Sequence, residues 1–168
     1  MVPPQGPIAP PPMPMIKMLV EKAAILADVK AKTKDAALKE LLATAQAAGM
    51  FKKKIAPQLI KKLQEREAIG STGLGNSVAV PHVKHEAVER TALVLARAKT
   101  GIEWQSIDGR PVQIMFFIAS PGDSPESHLQ CLRWVSTLAR NADFRRFMLD
   151  AKDEAAIRDL LLELQPKI

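Results

Sequence analysis

The sequence predicts a single α/β layered domain, and three observations carry that expectation. The chain has 168 residues, 47% hydrophobic and 25% charged, a size and composition suited to one globular unit with a buried core. Its apolar spacing changes from helical to alternating and back to helical, giving helices, then three or four strands, then helices. No internal repeat interrupts that order.

Taken along the chain, residues 1–15, MVPPQGPIAPPPMPM, hold seven of the thirteen prolines and read as a disordered tail outside a domain spanning 16–168. The apolar segment from Met15 to Lys32 fits either helix or strand. Thr33 then caps a helix with Asp35 in its first turn and Leu38, Leu41, Leu42 and Ala45 on one face, ended by Gly49. A second helix begins near Ala56, with Pro57 in its first turn, Leu59, Ile60 and Leu63 facing the core, and Arg66-Glu67 at its far end. Strand signals follow in Val78–Val80, in Thr91–Ala98 and in VQIMFFIAS, the last preceded by an Asp108-Gly109 turn. Ser124 and Pro125 open a helix carrying Leu129, Leu132, Val135 and Leu138 inward, and two further helical patterns run near 144–149 and 153–164.

Composition excludes several classes. No apolar run reaches the roughly 18 residues of a membrane span, so no membrane insertion is expected. No signal peptide is legible, and one cysteine, Cys131, permits no internal disulfide; both favour the cytoplasm. The net charge of +6 is concentrated at Lys52–Lys54 and Lys61-Lys62, but aromatics are 4% and tyrosine is absent. Stacking surfaces for single-stranded nucleic acid are therefore missing, and a solvated lysine face or an attraction for acidic or phosphorylated proteins fits better.

The chemistry concentrates in STGLGNSVAVPHVKH, residues 71–85. A Walker-type phosphate loop fails because Asn76 occupies the lysine position, and because a helix precedes the loop and a strand follows it. Backbone amides of Gly73, Leu74, Gly75, Asn76 and Ser77 can still bind an anion, though an ordinary turn explains the glycines equally well. A zinc site from His82, His85, His128 and Cys131 is opposed by spacing, since residues three apart on a strand face opposite ways; neither metal nor cofactor is expected. A third reading is a nucleophilic histidine. A neutral imidazole attacks well near pH 7, and its phosphorylated form needs donors such as loop amides, an arginine fork and a second imidazole. Arg66 and His128 supply the last two, and the first turn of the His128 helix favours an anion and disfavours an imidazolium.

Residues 66–82, RE-x3-STGLGN-x-VAVPH, resemble the signature of enzyme IIA of the mannitol/fructose type, the EIIA type-2 domain of the bacterial phosphotransferase system. The similarity continues through SIDGRPVQIMFFIASP and HLQCLRWVSTLARN and covers about Ile16 to Leu164. The resemblance implies a single-domain sandwich with a mixed β-sheet flanked by helices. It implies a phosphocarrier (a transferase component) whose His82 accepts a phosphoryl group from a phosphohistidine carrier protein, assisted by Arg66 and His128. A free-standing chain with STGLGN is similar to the nitrogen-regulatory branch, whose downstream partner would be a regulated kinase or transporter. The alternatives are a sugar-uptake subunit passing phosphate to a separate IIB protein, and a binding regulator that keeps the fold without phosphotransfer. Ser77 and Val83 stand where that family often has glycine; His85 is expected on the solvated surface and Cys131 in the core.

Overall fold

The computed structural model describes residues 13–123 and 125–163, with side chains from residue 16 onward. Most of the proline-rich tail, the expected cap Ser124 and residues 164–168 therefore lie outside the described residues.

The ambiguous first segment resolves into a helix, α1 (Met13–Glu21), and a three-residue strand, β1 (Ala24–Leu26). Helix α2 (Lys34–Ala47) starts where the Thr33 hydroxyl accepts from the Ala36 amide at 3.2 Å, and Gly49, at φ +79°, provides its left-handed exit. Helix α3 (Ala56–Ile69) carries its proline in the first turn and buries Leu59 and Leu63. Four strands follow: β2 (Gly73–Gly75), β3 (Val78–Ala79), β4 (His82–His85) and the long β5 (Ala92–Ile102). Then come β6 (Val112–Pro121) and helices α4 (Pro125–Arg140), α5 (Ala142–Asp150) and α6 (Glu154–Glu163).

The described residues thus form six strands rather than three or four, because β1, β2 and β3 are two or three residues long and leave little alternation to read. The sheet runs β1-β5-β6-β3-β2, with β4 also paired to β6. It is mixed: β1 lies parallel to β5, β5 antiparallel to β6, and β3 and β4 both parallel to β6. Val78 pairs with Ile114 and His82 with Ile118, so β3 and β4 follow one another in a single register along β6. Pro81, which has no N–H to give a ladder, falls at the break between them.

Successive residues of β5 and β6 enter opposite cores. Val94, Ala96, Met115 and Phe117 pack against α2 and α3. Leu93, Leu95, Phe116 and Ile118 pack with residues of α1, α4, α5 and α6. Burial on both faces explains why the central strands read as unbroken apolar runs. Two expectations about burial change. On α4 the buried residues are His128, Cys131, Val135, Leu138 and Ala139, whereas Leu129 is 47% exposed. His85 is buried, not solvated: it hydrogen-bonds Gln58 Oε1 through Nε2 at 2.8 Å and accepts from the Ala87 amide through Nδ1 at 2.9 Å.

A charged residue also sits in the interior. Arg97 on β5 is 1% exposed and has no carboxylate partner among the described residues. Its guanidinium donates to the carbonyls of Ala27 (3.1 Å), Met148 (2.9 Å) and Ala151, so it closes the C-terminal end of α5 against the chain leaving β1.

Candidate functional site

The site forms at the exposed edge of β4, where α3 from one layer and α4 from the other approach each other. An open cleft of about 440 Å³ there is lined by Lys62, Glu65, Arg66 and Ile69 of α3, by His82, Val83 and Lys84 of β4, and by His128 and Leu132 of α4. A cleft of similar size beside Lys22 and Arg90 has no imidazole or thiol in its lining, which makes the His82 cleft the candidate site.

His82 is the first residue of β4, immediately after Pro81, and is half-buried. Alternation sends His82 and Lys84 to one side and Val83 and His85 to the other, which separates the two histidines as the spacing argument against a zinc quartet expects. His82 Nδ1 lies 2.7 Å from the Val80 carbonyl. A carbonyl can only accept, so Nδ1 carries the proton and Nε2 keeps its lone pair. Burial is the main force holding the His82 pKa below 6.5; the Val80 bond opposes it, and the charges of Arg66 and Lys84 reinforce it. The ring is therefore neutral at pH 7.

His128 comes at the end of the first turn of α4 and is buried. Its ring centroid lies 5.3 Å from that of His82 with the planes at 52°. Its Nδ1 is 2.6 Å from the hydroxyl of Ser120 on β6. Its pKa is pushed down to about 4, first by burial and then by the neighbouring His82 and Lys84. Both act in the direction expected at the start of a helix and favour the neutral imidazole.

Arg66 reaches the cleft from the last turn of α3. Its Nη1 donates to the Gly70 carbonyl at 2.7 Å, which pins the guanidinium at the end of the helix. No other hydrogen bond or ion pair engages that guanidinium among the described residues, so most of its fork remains available to an anion. Its neighbour Glu67 turns inward. It accepts from the Thr72 amide (3.0 Å), the Thr72 hydroxyl (2.6 Å) and Trp104 Nε1 (3.1 Å), and it pairs with Lys34 at 2.9 Å. Adjacent residues thus divide the work: one faces the cleft and the other fastens α3 to the start of β2.

The structure brings together His82, Arg66 and His128 and leaves the glycine loop apart. None of Gly73, Leu74, Gly75, Asn76 and Ser77 lines the cleft. The loop folds back as the β2–β3 hairpin, with Asn76 (φ 56°) and Ser77 (φ 65°) both left-handed at its turn. Two of its amides are already engaged: Asn76 N–H donates to the Asp108 carboxylate at 2.9 Å and Gly73 N–H to the Ser71 hydroxyl at 3.0 Å. An anion at this turn would meet Asp108. The glycines answer to packing, since a Cβ on Gly73 would stand 2.0 Å from Ser106 Oγ.

Three cleft or supporting residues went unread in the sequence. Lys84 was available from strand alternation with His82, and Lys62 from its helical spacing with Arg66. Ser120, the one polar residue closing the apolar run of β6, gave no local sign of its partner eight residues on. Cys131 is fully buried, and its thiol pKa is pushed up to about 11 by that burial, as befits a core residue. No helix of the described residues is long and apolar enough to cross a membrane.

Comparison with known proteins identifies the family and the fold. The family model for the phosphoenolpyruvate-dependent sugar phosphotransferase system, EIIA 2, matches residues 18–164. The chain belongs to the EIIA type-2 family. It is 32% identical to the nitrogen regulatory protein of Bradyrhizobium diazoefficiens, with 85% of this chain and 92% of that protein aligned. It is 33% identical to the fructose-specific EIIA component of Haloferax volcanii, over 79% of this chain and 84% of that one. Against the fructose-specific EIIABC component of Bacillus subtilis it is 31% identical over 87% of its own length but spans only 23% of that larger protein. The EIIA fold is equally plain in solved structures. The nitrogen regulatory protein IIA-Ntr of Neisseria meningitidis superposes with a TM-score of 0.74 at 23% identity, covering 86% of this chain and 99% of that one.

Proposed function

We propose that this EIIA type-2 chain is a phosphocarrier in which His82 Nε2 accepts a phosphoryl group from the phosphohistidine of a carrier protein. The observation that carries the reading is the 2.7 Å hydrogen bond from His82 Nδ1 to the Val80 carbonyl, which leaves the Nε2 lone pair free in a cleft shared with Arg66 and His128. Nε2 attacks phosphorus in line, an Nε2–P bond forms, and the donor's N–P bond breaks. The donor ring leaves with the electron pair as a neutral imidazole, and positive charge develops on the His82 ring. The Val80 carbonyl, which already holds Nδ1–H, stabilises that charge. Arg66 and a neutral His128 N–H hold the equatorial oxygens, while Lys62 and Lys84 add attraction for the dianion. The glycine loop has no part in this cradle.

The role proposed is regulatory, in the cytoplasm, with a downstream kinase or transporter as target. Its support is the near-complete alignment with a nitrogen regulatory protein. The similarly close fructose-specific EIIA favours a second reading, in which phosphate passes to a separate IIB subunit. The test is incubation with a phosphorylated histidine carrier protein, read by intact-protein mass and by fragmentation under alkaline conditions. An acid-labile phosphate on His82, absent from His82→Ala, is expected. Label on His85 or His128 would overturn the assignment, and a chain that takes no phosphate would leave the binding-regulator alternative standing.

A further inference from the structure

We infer that Ser120 is a positioning residue of the phosphoryl site: its hydroxyl donates to His128 Nδ1, fixing His128 as the Nε2–H tautomer that can give a hydrogen bond but cannot take the phosphoryl group. The inference rests on the phosphocarrier reading for its purpose, and on hydrogen-bond accounting for its substance.

Ser120 is fully buried on β6, and its hydroxyl has one partner among the described residues, His128 Nδ1 at 2.6 Å. Only two arrangements are possible for this neutral pair. If Nδ1–H donated to the hydroxyl oxygen, the hydroxyl proton would have no acceptor in a dry setting, the costly way to bury a donor. If the hydroxyl donates to the Nδ1 lone pair, both groups are satisfied.

The two imidazoles are thereby set to opposite states by opposite partners. A backbone carbonyl holds His82 at Nδ1–H and frees Nε2 as a nucleophile. A hydroxyl occupies the Nδ1 lone pair of His128 and puts the proton on Nε2. With rings 5.3 Å apart, a donor phosphohistidine would otherwise meet two competing nucleophiles; the serine removes one and converts it into a donor for the phosphate oxygens.

The experiment uses the full chain with ¹⁵N-labelled histidine. At pH 7 the His128 spectrum should show a protonated Nε2 and a hydrogen-bonded, unprotonated Nδ1. Ser120→Ala should move the Nδ1 resonance to that of an unbonded nitrogen and slow phosphorylation by a phosphorylated carrier protein about tenfold, the scale of one such bond. It should also put a detectable fraction of the phosphate on His128. Ser120→Thr, which keeps the hydroxyl, should stay near the wild-type rate and tautomer. A wild-type spectrum with the proton on Nδ1 would overturn the inference, as would Ser120→Ala at an unchanged rate. So would Ser120→Thr as slow as Ser120→Ala with an unchanged melting temperature. Failure of the wild-type chain to take phosphate would instead sink the phosphocarrier reading, and with it the purpose of the tautomer, which the imidazole spectrum reads on its own.

Discussion

The β2–β3 hairpin and the Pro81-His82 break lie within ten residues of each other, yet they treat their polar groups in opposite ways. In the hairpin, Gly73 and Asn76 amides are engaged by Ser71 and Asp108, and Gly73 leaves room for the Ser106 side chain against the backbone. At the break, His82 Nε2 and most of the Arg66 fork have no partner among the described residues. A glycine-rich sequence draws attention because it is conspicuous. The reactive region is marked instead by donors and acceptors that the fold leaves unspent in a partly dry cleft.

That contrast breaks most visibly at His128. Its replacement by Ala should slow phosphorylation of His82 by roughly ten- to a thousand-fold, the range for losing one preorganised donor, and His128→Gln should recover part of the loss. Rates for wild type and both variants with one phosphorylated donor decide it; equal rates would make His128 merely structural. A smaller effect belongs to Arg66→Lys. A point charge replaces a planar fork, so transfer should fall about tenfold while the melting temperature stays put. Unchanged kinetics would reduce Arg66 to a cation on the helix surface.

The hairpin should behave in reverse. Gly73→Ala forces a Cβ against Ser106 and should cost roughly 1–3 kcal/mol of stability by overpacking, yet the protein that remains folded should phosphorylate at the wild-type rate. A denaturant titration paired with a rate measurement separates the two; a slowed but stable variant would return the loop to the site.

The mildest effect is on pH dependence. Because the His82 pKa is held below 6.5, its nucleophilic form persists as pH falls past that value, and the rate should decline only below it. Stability carries the same sign. His82 and His128 are both depressed, so in acid the unfolded chain binds protons before the native one does. Their contribution is whole above pH 6.5 and is lost as pH falls toward about 4, the value for His128. Urea midpoints that rise on acidification through this window would contradict the burial of both rings.

Local signals in the sequence fared best. The Thr33 cap, the Gly49 stop, Pro57 in the first turn of α3 and the Asp108-Gly109 turn each depend on neighbours within four residues, and each appears as read. His82, Arg66 and His128 could be gathered because a motif and a resemblance linked them across the chain. Features decided by distant partners were out of reach. β1 is too short to show alternation and exists because β5, some seventy residues on, pairs with it. The fate of His85 turns on Gln58 of α3, and the hairpin's true neighbour is the turn at Ser106–Asp108. Leu129 fits a helical stripe, but the buried face of α4 runs through His128, Cys131 and Val135, so the stripe's outer member stays exposed.

Arg97 joins three parts of the chain that are far apart in sequence, and this has a bearing on how the molecule comes apart. Detaching α5 would strip the guanidinium of the Met148 and Ala151 carbonyls, two of its three hydrogen-bond partners, and expose the second core to water. Partial opening of the C-terminal helices is therefore penalised more than their modest length suggests, and the sheet and those helices form one cooperative unit. Amides of α5 should exchange with solvent only in the same rare event that opens β5, so the helical cover over the second core is as long-lived as the sheet itself.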